Sequence, residues 1–110
     1  MKKMIFHGEA IAHQIESLPK GLKKKSAKNG FVVVAESEFS GNDHRVSVTE
    51  KVEFYEAEDG TLFAKIEEPT TIGCVIKERH DDVILDAGIW RFDIAKEFDP
   101  IEQEVNRVRD

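Results

Sequence analysis

The chain has 110 residues, 40% hydrophobic and 35% charged, with a formal net charge of −6. That is one domain's length of chain, and its apolar content suffices for a modest core without a disulfide or metal. The single cysteine, Cys74, excludes an internal disulfide, no apolar run approaches the roughly 20 residues of a membrane span, and Met1–Phe6 is too short for a signal peptide.

These features set the expectation of one cytoplasmic β-domain spanning residues 1–110. Charge is split along it. Residues 1–30 carry seven lysines against Glu9 and Glu16 (+5), and residues 31–110 carry nine basic against twenty acidic groups (−11). An acidic body repels phosphates, so a sequence-specific nucleic-acid partner is not expected.

In chain order, Ile11, His13 and Ile15 alternate with polar or small residues and predict a strand whose apolar face holds His13 as a satisfied core histidine. Lys20–Lys28 lies among Pro19, Gly21, Ser26, Asn29 and Gly30 and reads as a solvated loop; the alternative is that this stretch touches phosphates or an acidic neighbouring subunit. Phe31–Ala35 is a continuous β-branched run, as in a strand covered on both faces. Ser40–Asp43 reads as a turn, and His44–Val48 alternates again.

Val52–Tyr55 and Leu62–Ile66 flank Glu58-Asp59-Gly60, which predicts a hairpin with Gly60 in the left-handed conformation. Its inward set is Val52, Phe54, Leu62, Ala64 and Ile66. Ile72, Cys74 and Ile76 alternate, which makes Cys74 a small buried apolar residue; Val83–Leu85 is a short strand, and Gly88 opens a strand with Trp90, Phe92 and Ile94 on one face. The tail changes period. Asp99, Pro100 and Glu102 start a helix over 99–109 with a narrow stripe of Ile101, Val105 and Val108 that needs a docking surface. The whole predicts an all-β protein with a short C-terminal helix, an antiparallel β-sandwich or small β-barrel of seven to eight strands.

Two polar constellations carry possible chemistry. His44 and His80, each beside a turn, with Glu38 or Glu78, supply imidazole and carboxylate donors for a cupin-like metal site, although no short-range ligand motif supports it. Arg45, Arg79 and Arg91, with His44 and His80, form the alternative set for an anionic ligand such as a nucleotide. Nucleophile-elbow and Gly-rich phosphate motifs do not occur in the sequence, so a non-enzymatic protein without a cofactor is the leading expectation.

His7-Gly8-Glu9, Ser40-Gly41-x-x-His44, Arg79-His80-Asp81, Gly88-x-Trp90 and Lys96-Glu97-Phe98-Asp99 together resemble an uncharacterised family of small proteins from bacteria and tailed bacteriophages. Members often have Gly-His-x-His where this chain has Gly41-Asn42-Asp43-His44, so Asn42 removes one imidazole and leaves His44 and His80 as the carried-over pair. The resemblance brings no established activity and implies only a virus-encoded or mobile-element protein. The opposed charges of the two segments, the tail helix that needs a docking surface and the lack of a catalytic motif then make the leading expectation an oligomeric, phage-type accessory protein of the host cytoplasm or the virion, attached to a virion shell or another protein. Lys23, Lys24, Lys25, Ile101, Val105 and Val108 are its expected contacts.

Overall fold

The computed structural model describes residues 3–7, 10–35, 43–74 and 82–94. Within them the chain forms β1 (Met4–His7), β2 (Ala10–Ile15), β3 (Lys23–Lys25), β4 (Phe31–Ala35), β5 (His44–Ser47), β6 (Val52–Glu56), β7 (Leu62–Ile66), β8 (Thr70–Cys74), β9 (Val83–Leu85) and β10 (Gly88–Ile94). Six strands pair in the order β1-β2-β10-β7-β6-β3 and four in the order β4-β5-β8-β9, every pairing antiparallel. The chain crosses between the sheets at 26–30, 48–51, 67–69 and 86–87. The result is a sandwich rather than a closed barrel, with more strands than the seven to eight expected. The predicted helix over 99–109 and its stripe lie outside the described residues.

The core lies between the sheets and is organised around β10. Trp90 and Phe92 point inward and are buried, and their cross-strand neighbours include Ala64 on β7 and Ala12 on β2. Phe54 of β6 faces Ala64 from the other side and stacks on Phe92 at a centroid distance of 5.5 Å. Large rings on one strand thus fill the space above alanines on the next, the alternation that close packing demands. Trp90 also donates its indole N–H to the Asp86 carbonyl at 3.0 Å, so its one polar atom is satisfied. Val32, Val34, Val46, Ile72 and Leu85 close the core from the four-stranded sheet.

The β6–β7 hairpin forms as its sequence predicts. Gly60 has φ of 90°, a conformation that would strain any residue with a Cβ. Thr61 donates its backbone N–H to Asp59 Oδ1 at 2.9 Å, and this bond holds the Asp59 carboxyl below its ordinary range.

Three expectations need correction. The buried residues of β2 are Ala10 and Ala12, not Ile11, His13 and Ile15: Ala12 lies beside the Phe92 ring, and Ala10 lies between His7 and Ile94. His13 therefore lies on the outer face, with Nε2 2.9 Å from Asp93 Oδ2, which also accepts from Arg91 Nε at 3.1 Å. Phe31–Ala35 is an edge strand with Val33 exposed, so it is not covered on both faces. Lys23–Lys25 is a strand, not a loop: it pairs with Phe54–Glu56 at the far edge of the larger sheet, and Lys24 reaches Glu53 at 3.4 Å. Lysines on an edge strand discourage further strand addition there.

Replacing Ala12 by Leu is expected to destabilise the domain by about 1–3 kcal/mol through overpacking against Phe92. His13→Ala, which removes a partly exposed pair, is expected to cost less than about 1 kcal/mol. Urea denaturation followed by the fluorescence of the lone tryptophan reads both. A carboxyl with a lowered folded pKa contributes stability above its unfolded pKa and loses it as pH falls through the folded value. Asp59→Ala should therefore lower the denaturation midpoint at neutral pH and leave it unchanged once the wild-type carboxyl is protonated.

Candidate metal centre

At one end of the sandwich three side chains from three strands turn toward each other. His44 and Cys74 are direct cross-strand partners on β5 and β8, each continuing an inward-facing set: His44 with Val46, Cys74 with Ile72. Paired residues on one face of an antiparallel ladder have Cβ atoms about 4.5–5.5 Å apart, so the ladder itself delivers these two groups together. The third comes from the opposite sheet. His7 ends β1 and faces inward, alternating with exposed Phe6; its register partner is Ala10, whose small side chain leaves the imidazole free to reach across.

All three are buried, His7 and His44 at 3% exposure and Cys74 at 1%. His7 Nδ1 lies 2.8 Å from His44 Nδ1, and the rings meet edge to face at 87°. Cys74 Sγ is 3.4 Å from His44 Nδ1 and 3.8 Å from His7 Nδ1. In this arrangement one imidazole donates an Nδ1–H to the other, with the thiol against both.

The same three atoms have the dimensions of a metal-ligand set. Zinc bonds of about 2.0–2.1 Å to imidazole and about 2.3 Å to thiolate, at tetrahedral angles, separate two nitrogens by about 3.3 Å and a nitrogen and sulfur by about 3.6 Å. The three observed separations match those values to within about 0.5 Å. A small spreading of the two nitrogens would let one ion reach all three donors at bonding distances. They form the group of potential ligands recognisable among the described residues. A thiolate with two imidazoles selects thiophilic ions such as zinc or copper over magnesium or calcium.

Of the residues singled out from sequence, the structure brings only His44 into this site. His80, Glu38, Glu78 and Arg79 lie outside the described residues. Arg45 and Arg91 lie on the outer faces of opposite sheets and do not converge: Arg45 stacks over Phe31 at 4.1 Å, and Arg91 pairs with Asp93. Ser47, Thr71, Gly73 and Asp82 line a cavity of about 120 Å³ with Phe31 and Arg45. Lys23, Lys24 and Lys25 are exposed along β3. Sequence reasoning missed His7 and treated Cys74 as a space-filling residue. The available signal was parity, since His7, His44 and Cys74 each share a face with an apolar residue two positions away.

Fold and site together define a small two-sheet antiparallel domain with a soft-donor trio enclosed between the sheets. Residues 6–95 match the family described as "Domain of unknown function (DUF8820)", and the chain belongs to that family. No curated protein and no solved structure matches it.

With Sγ so enclosed, Cys74 is expected to react slowly with a thiol reagent in the native protein and to yield one thiol per chain in denaturant. Rapid, complete labelling without denaturant would contradict this burial.

Proposed function

We propose that this domain is a non-enzymatic metal-binding module in which His7 Nδ1, His44 Nδ1 and Cys74 Sγ hold one thiophilic transition-metal ion, zinc in the first instance. The observation that carries the reading is the convergence of three buried soft donors from three strands on one point. It retains the metal-protein class considered from sequence and His44 as a ligand, with His7 and Cys74 as the partners of that histidine. Binding requires the donating imidazole to move its proton from Nδ1 to Nε2 and the thiol to ionise, so loading releases one proton, from Cys74.

The reading is tested on untagged protein by elemental analysis and by cobalt substitution. One equivalent of zinc after reconstitution is expected, and cobalt should give a near-ultraviolet thiolate-to-metal band that Cys74→Ser abolishes. Metal well below one equivalent after reconstitution rejects the proposal.

The phage-type attachment role, to a virion shell or to further copies of the chain, has one specific support. Met4 and Phe6, on the outer face of β1, are 54% and 63% exposed. Light scattering of the wild type and of Phe6→Glu tests the self-association form: a larger species that the substitution disperses supports it, and a strict monomer in both counts against it.

A further inference from the structure

The metal-binding reading has a mechanical consequence that follows from where the three ligands stand in the fold. His44 and Cys74 are held side by side by the β5–β8 ladder whether or not an ion is present. His7 belongs to the other sheet, on a strand with far weaker anchorage. Among the described residues β1 is an edge strand of four residues whose only ladder partner is β2. Its outward side chains, Met4 and Phe6, are exposed, and of its inward pair Ile5 is only partly buried.

The other ties near β1 are slight. The Lys3–Asp86 ion pair is about half exposed on both sides, where solvent screens it. Lys3 exchanges two hydrogen bonds with Gln14, both at the surface end of the strand. Among the described residues the buried side chain by which β1 reaches the opposite sheet is His7.

We infer that the bound ion is a clasp for β1: occupancy of the His7–His44–Cys74 site docks this edge strand across the sandwich, and loss of the ion releases it locally. The thermodynamic basis is differential affinity. The docked state offers the ion three donors and the undocked state two, so the ion binds the docked state more tightly and shifts the population toward it. Without the ion, the hydrogen bond between the two imidazoles and the adjoining thiol contact stand where three metal-ligand bonds would. Short edge elements with few buried side chains are where local opening starts. The exposed pair Met4 and Phe6 rides on the same strand, so the clasp also decides whether those two side chains are presented at fixed positions.

The test is hydrogen exchange by mass spectrometry on the full chain, zinc-loaded and chelator-stripped, with zinc content measured on the same samples. Loading is expected to slow exchange of the β1 amides by tenfold or more and to leave the central strands β7 and β10 unchanged. In Cys74→Ser and His7→Ala, exchange in β1 should be the same with and without zinc. Two variants from opposite sheets guard against a folding defect in either one.

One equivalent of zinc with unaltered β1 exchange would overturn the clasp while leaving the metal site standing. Uniform protection of every strand would overturn it too, since the ion would then stabilise the whole domain rather than one strand. Failure of the wild type to take up zinc removes the site, and the clasp with it.

Discussion

Everything in this domain is arranged around the volume of two side chains on one strand. Trp90 and Phe92 project from the centre of the larger sheet into the space between the layers, and room for the rings requires that one cross-strand neighbour of each be small, the other being Gln14 beside Trp90 and Leu62 beside Phe92. Ala12 and Ala64 meet that requirement, and Phe54 then stacks on Phe92 from the far side of Ala64. Fully burying side chains of this size contributes roughly 1.5–3 kcal/mol each, so this interlocking fixes the registers of β2, β7 and β6 against β10. The registers in turn place Ala10 beside His7, and a small residue there lets the imidazole cross to the other layer.

The site follows from that frame without any local motif. His44 and Cys74 are brought together by an antiparallel ladder between strands 30 positions apart in sequence, and His7 is 37 positions from His44. Burying two imidazoles and a thiol together is costly unless their polar atoms are matched. Here they are matched with each other, and the same atoms stand within about 0.5 Å of the separations a tetrahedral ion requires. The group binds the two sheets chemically at a place where hydrophobic packing from β1 is thin.

Much of the architecture was legible in the sequence because it depends on period. Alternation of Val52 and Phe54 against Leu62, Ala64 and Ile66, with Gly60 between, marked the central hairpin, and Trp90 with Phe92 marked the inward face of the longest strand. The same rule failed at Ile11, His13 and Ile15, because burial there is decided by the volume available opposite, which favours Ala10 and Ala12 over larger neighbours. It failed again at Lys23–Lys25, where strand formation is driven by pairing with β6 and not by any apolar pattern. The site was half visible. Parity placed Cys74 on an inward face, but which strands lie side by side is a long-range property, and His44 was matched by turn position with His80 instead of by ladder with Cys74.

The irregularity in β4 has a consequence for comparing sequences. Val33 pairs with Arg45 and Ala35 with His44, so Val34 is an extra residue, and Val34 and Ala35 are both buried in succession. A relative built without that bulge would be one residue shorter here. Any alignment that forces the two chains into phase without opening a gap at Val34 would exchange interior for exterior positions along the preceding strand, and would make a preserved core look like a diverged one.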